Sequence, residues 1–150
     1  MAQSDLISLL IKNGTVIDGS GAPAFRADVA VEGERIAAVS PGLRTPAGRE
    51  IDATGLYVTP GFIDIHSHSD LFFLDCPSAE SKVRQGVTTE VVGMCGFSPA
   101  PVHPGRAAMV EAWMGGIGTR LKVEWKSFGE YLERLKQAAL SVNGVHFVGH

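Results

Sequence analysis

One stretch constrains this chain more than any other: Pro60-Gly61-Phe62-Ile63-Asp64-Ile65-His66-Ser67-His68-Ser69-Asp70, an apolar run that ends in two histidines. In a strand, side chains two apart point to the same face. A buried strand over residues 61–65 would therefore project His66 and His68 together just where it runs out. Buried parallel strands read as continuous hydrophobic runs, and in α/β barrels the chemistry gathers at their C-terminal ends. Carboxylates flank the pair at Asp64 and Asp70. Imidazole nitrogens on one face suit Zn2+, whose Zn–N bonds of about 2.0–2.1 Å need ligands held close together. Spacing alone leaves a second reading open, a pair of solvated or hydrogen-bonded strand histidines.

The residues before this stretch have a different rhythm. Residues 1–59 read as short strands with turn signals, which suggests a small sheet or sandwich. Strands are expected at 6–11 and 15–18 on either side of an Asn13-Gly14 hairpin signal. Two more, at 27–31 and 35–39, face each other across the turn Glu32-Gly33-Glu34. Residues 40–49 read as loop, and short strands follow at 50–53 and 56–58.

After Pro60 the pattern becomes strand, helix, strand, helix, strand. The strand at 61–65 is followed by a loop over 69–78 and a short helix over 79–85 that Gly86 closes. A β-branched strand follows at 87–92. A proline-rich loop leads to a helix at 106–114. Ser127 and Glu130 form a capping-box pattern ahead of a helix over 127–141, carried by Phe128, Leu132, Leu135 and Ala139 and ended at Asn143-Gly144. A third strand begins at 145–148. This is the opening of a parallel α/β fold. Only 90 residues follow Pro60, whereas a complete barrel takes about 250. The expectation is the N-terminal part of something larger.

Composition narrows the functional class. The 150 residues are 45% hydrophobic and 19% charged with a net charge of -3, a soluble globular balance. There is no basic footprint for nucleic acid, no polybasic membrane patch and no run of transmembrane length. The apolar residues 6–11 lack a basic n-region before them and a small-residue cleavage site after them. Two cysteines, Cys76 and Cys95, without a signal peptide argue for a reducing compartment, so a cytoplasmic protein is expected.

Cys95 lies in Gly93-Met94-Cys95-Gly96, after the second strand of the α/β part, at the same end as the histidines. Three readings stay open for it: a small buried hydrophobe, a thiolate metal ligand, or a nucleophile paired with a histidine. Cys76 and His146 read as structural and His103 as solvated. His150 could point towards a barrel mouth or, as a terminal residue, be disordered. Asp64 could orient a histidine or be a buried structural carboxylate.

Several blocks resemble the opening of the amidohydrolase superfamily: Ile11-Lys12-Asn13-Gly14-Thr15-Val16-Ile17-Asp18-Gly19-Ser20-Gly21, Arg35-Ile36-Ala37-Ala38-Val39, Ile51-Asp52-Ala53-Thr54-Gly55 and Pro60-Gly61-Phe62-Ile63-Asp64-Ile65-His66-Ser67-His68. The block Gln85-Gly86-Val87-Thr88-Thr89-Glu90-Val91-Val92-Gly93-Met94-Cys95-Gly96-Phe97-Ser98-Pro99-Ala100-Pro101 narrows the resemblance to the N-acyl-D-amino-acid deacylase (D-aminoacylase) family, as does Phe147-Val148-Gly149-His150.

That resemblance implies a metal-bearing (β/α)8 barrel with a small β-sandwich built by both chain ends. Residues 1–59 would be half of the sandwich and residues 60–150 the first barrel units. It implies Zn2+ as cofactor, with His66, His68 and Cys95 as metal ligands. Cys95 would stand where related enzymes use a carboxylated lysine. Two histidines from later strands would complete the main site, and a late aspartate would serve as general base, so no catalytic residue is assigned here. The implied reaction is hydrolysis of a small-molecule N-acyl-D-amino acid to a carboxylate and a free D-amino acid. Two alternatives remain: a truncated, non-catalytic fragment or association module, and an amidohydrolase acting on a cyclic amide such as a hydantoin or dihydroorotate.

Overall fold

The computed structural model describes residues 7–148. It divides into two units, one running to Pro60 and one beginning at Gly61. The expected strand residue Leu6 and the candidate His150 lie outside the described residues.

The first unit is one five-stranded sheet of β1 (Ile7–Val16), β2 (Phe25–Glu32), β3 (Arg35–Ser40), β4 (Ala47–Asp52) and β5 (Tyr57–Val58). The order is β3-β2-β1-β4, and β5 also pairs with β1. The pairs β1–β2 and β2–β3 are antiparallel, while β4 and β5 run parallel to β1. The hairpin expected at Asn13-Gly14 does not form. Residues 7–16 are a single strand whose register against β2 shifts between Ile11 and Gly14. Asn13 has the positive φ of 62° that a turn would use. However, its N–H donates to Asp28 Oδ1 at 2.7 Å and its side-chain amide to Asp52 Oδ1 at 3.0 Å. These tertiary bonds convert the signal into a bulge. Gly14 is required there because a Cβ would meet Val58 Cγ2 at 2.5 Å. Val16, Ala27 and Val29 form the buried cluster of this unit. The expected loop over 40–49 is shorter than its bounds, since β4 starts at Ala47.

The second unit is a parallel three-stranded sheet, β6 (Phe62–Asp64), β7 (Val87–Val92) and β8 (Asn143–His146), in the order β6-β7-β8. Helix α1 (Glu80–Val83) links the first two strands, and α2 (Ala107–Gly116) and α3 (Phe128–Gln137) lie between the last two. The mixed α/β class and the parallel pairing follow the sequence reading. Two details do not. Residues 61–65 are not buried: Phe62 is 55% exposed, Ile63 62% and Ile65 73%. Among the described residues β6 pairs with one strand, β7, at the edge of the sheet, so its apolar character is not covered within this unit. The helix over 127–141 ends four residues early, at Gln137, where Ala139 takes a left-handed φ of 49°. Asn143 and Gly144 then open β8 rather than ending the helix.

The core of this unit gathers Phe73, Val92, Ala100, Val102, Trp125, Tyr131, Leu135 and Val142. Helix α3 contributes Tyr131 and Leu135, four apart on one face. Full burial of such side chains is worth about 1.5–3 kcal/mol each. Among the described residues no helix is long and apolar enough to cross a membrane.

Candidate metal centre

β6 stops at Asp64, and the chain bends at Ile65 and His66. The histidines therefore do not project from a strand, as their i, i+2 spacing suggested. His66 sits in the bend, and His68 immediately precedes a short 3-10 turn, Ser69–Leu71. A single backbone bond, Ser67 N–H to the Val91 carbonyl at 3.0 Å, keeps this segment beside β7. The two imidazoles meet edge to face with ring centres 5.7 Å apart.

The third member arrives from the end of β7. Gly93 has φ +82°, and the chain coils into the 3-10 turn Met94–Gly96, with Cys95 itself at φ 57°. This tight turn brings Cys95 Sγ to 3.3 Å from His66 Nε2. Ligand atoms of His66, His68 and Cys95 all lie within 4.8 Å of one another. Ligands at 2.0–2.3 Å from a tetrahedral ion sit roughly 3.3–3.8 Å apart, so the His66–Cys95 edge already has coordination length.

Two observations test whether a metal suits these residues. The donors are one sulfur and two imidazoles, a set that favours zinc over hard cations. In addition, Nδ1 of His68 is buried and has no hydrogen-bond partner. An orphaned buried nitrogen is unfavourable in a protein interior, and a metal bound at Nδ1 would relieve it. Cys95 Sγ contacts an imidazole nitrogen and not an apolar cluster. A Cys–His contact is also nucleophile–base geometry; the second imidazole within the same cluster favours a metal.

Around the three candidates lies a network of charges. Among the described residues Asp64 makes no hydrogen bond to an imidazole. It accepts from the His66 backbone N–H at 3.2 Å and pairs with Lys82 Nζ at 2.5 Å. The Lys82 ammonium holds the Asp64 carboxyl below its usual range, and Asp64 in turn raises Lys82. Lys82 also lies 3.2 Å from Glu90 Oε2. Asp70 is buried and accepts from the Leu71 N–H at 3.1 Å and the Gly93 N–H at 3.1 Å. Burial pushes its pKa up to about 6. The Asp70 carbonyl accepts from the Tyr131 hydroxyl at 2.9 Å, and burial of that phenol, reinforced by Asp70, raises its pKa.

The remaining candidates stand apart from the cluster. Cys76 is exposed. His103 is exposed, with Nδ1 2.8 Å from the Pro104 carbonyl. His146 packs edge-on against Phe73, Phe128 and Tyr131, and burial lowers its pKa. The sequence reading missed Ser67, Ser69, Lys82 and Glu90. One signal was present: Glu90 is a lone charge in the run Val-Thr-Thr-Glu-Val-Val.

With the geometry described, comparison with known proteins is informative. The model of the amidohydrolase family matches residues 49–150. N-acyl-D-glutamate deacylase of Alcaligenes xylosoxydans xylosoxydans is 50% identical over 145 residues, covering 96% of this chain and 29% of that protein. D-aminoacylase of the same organism is 40% identical over 153 residues, covering 100% of this chain and 31% of the relative. Among solved structures, N-acyl-D-glutamate deacylase from Bordetella bronchiseptica, complexed with zinc and a phosphonate inhibitor, superposes with a TM-score of 0.82 at 40% identity. That match covers 97% of this chain and 30% of the other. The chain thus spans about 30% of the length of the relatives it matches.

Proposed function

The chain belongs to the amidohydrolase family, and on that premise we propose that the protein carrying it is a zinc-dependent N-acyl-D-amino-acid deacylase. It would hydrolyse the amide of a small N-acyl-D-amino acid to a carboxylate and a free D-amino acid. The observation that carries this reading is the convergence of His66, His68 and Cys95 within 4.8 Å. The relatives at 50% and 40% identity are named for this activity, which supports it. In this reading the unit up to Pro60 contributes to a small β domain, and β6, β7 and β8 are the first strands of a (β/α)8 barrel.

His66, His68 and Cys95 would hold the metal. A bound Zn2+ supplies Lewis-acid polarisation of a carbonyl and a coordinated water acidified to about pKa 7. The chain's own residues prepare the place for it. The Gly93–Gly96 turn aims the sulfur, and the bend at His66 aims one imidazole at the same point. Cys95 acts as a ligand and not as a nucleophile.

The test uses the full-length protein with bound zinc and paired N-acetyl-D- and L-amino acids, including glutamate and methionine. The expected outcome is hydrolysis of a D isomer, loss of activity on chelation and loss of bound zinc in Cys95→Ala. Turnover of L isomers with none of the D isomers would overturn the assignment.

A further inference from the structure

Reading His66, His68 and Cys95 as ligands leaves a buried carboxylate without a task. Glu90 lies inside β7 with none of its surface exposed. Its Oε2 accepts from Ser67 Oγ at 2.6 Å and Ser69 Oγ at 2.5 Å, and Lys82 Nζ lies 3.2 Å away. Its Oε1 is buried with no partner. A buried charge is unfavourable unless it is paired and hydrogen-bonded. The groups that satisfy this one come from α1 and from the histidine segment.

The pattern of those contacts is specific. Ser67 separates the two histidines, and Ser67 and Ser69 are the immediate neighbours of His68. One carboxylate thus grips the chain on both sides of a ligand. With both protons given to Glu90, the two hydroxyl oxygens lie 2.9 Å apart, and Lys82 donates to Ser67 Oγ at 3.2 Å. A second link runs the opposite way. Asp70, in the histidine segment, accepts from the N–H of Gly93, which begins the Cys95 turn. A side chain of β7 therefore holds the histidines, and a side chain of the histidine segment holds the cysteine. An apolar side chain at position 90 would remove the acceptor that both serine hydroxyls share.

We propose that Glu90 is a positioning residue for the metal centre: through Ser67 and Ser69 it fixes the directions of His66 and His68, with Lys82 as its counter-charge. The inference rests on reading His66, His68 and Cys95 as metal ligands. Outer groups of this kind change metal affinity by about 10–100-fold when removed.

Cobalt(II) binding to the full-length protein tests it, read by the thiolate charge-transfer and d–d bands and by competition with a chelator. Glu90→Gln is the direct variant. Because a buried amide there endangers folding, the doubly substituted Ser67→Ala, Ser69→Ala chain carries the decision, with Ser67→Thr as the conservative control. The double variant is expected to keep the parent's far-UV circular dichroism. Its Co2+ affinity should fall about 10–100-fold and its d–d bands should shift, while Ser67→Thr restores both towards the parent. Unchanged affinity and spectrum in the double variant would overturn the proposal, as would equal loss in Ser67→Thr. If the parent itself shows no cobalt–thiolate band, the ligand assignment fails, and the positioning role fails with it. Loss confined to the variants separates the two ideas.

Discussion

Gly93 takes φ +82°, and a Cβ there would press on the carbonyl oxygen of Phe147. Cys95, two residues on, is also left-handed at φ 57° although it has a side chain. An L-residue in that region is destabilised by roughly 1–2 kcal/mol. Such strain persists where its surroundings over-determine it, commonly at functional sites. Here it points the sulfur at His66. Gly93→Ala combines left-handed strain with overlap against backbone, so it should destabilise the second unit by about 2–4 kcal/mol. Urea unfolding followed by tryptophan fluorescence checks this, since Trp113 and Trp125 both belong to that unit. A loss under about 0.5 kcal/mol, the range of an indifferent surface change, would contradict it. The glycine-bounded cysteine turn was legible because glycine and a β-branched strand are local signals. Glu90 was not, because the serine that explains it lies 23 residues away.

Helix α3 shows how far local chemistry reaches. Ser127 accepts from the Glu130 N–H at 3.2 Å, and Glu130 Oε2 accepts from the Ser127 N–H at 3.0 Å. This is the reciprocal box that the sequence spacing announced. The same carboxylate accepts from the Lys126 N–H, and these backbone donors lower the Glu130 pKa. Ser127→Ala should cost about 1 kcal/mol and Ser127→Asp much less. In thermal unfolding the first shift is about 4–8 °C for a domain of 60–100 residues. Equal melting temperatures for the parent and Ser127→Ala would show that the cap is idle. β1 is the counter-example. Asn-Gly is a sound hairpin signal, yet bonds to Asp28 and Asp52 from other strands make the same residues a bulge. Caps are decided within four residues, whereas bulges are decided by partners far along the chain.

Across the whole molecule, apolar surface is unevenly covered. Phe62, Ile63 and Ile65 around β6, and Val145, Phe147 and Val148 around β8, are each at least 49% exposed. Faces of this kind mark places where further protein packs. The 150-residue chain expressed by itself is therefore expected to bind a hydrophobic dye such as ANS and to self-associate. Ile63→Lys combined with Val145→Lys should reduce both. Light scattering that reports a monomer without dye binding would contradict this. The family's parallel strands and the candidate ligands were written in the sequence, because hydrophobic runs, glycine turns and ligating residue types are properties of short segments. The tertiary structure alone decided that the histidines sit in a bend and not on a strand, that Asp64 binds lysine and not imidazole, and that Glu90 holds both serines. Each of these depends on which distant groups meet, and a side chain's partners are set by packing and desolvation rather than by its neighbours in the chain.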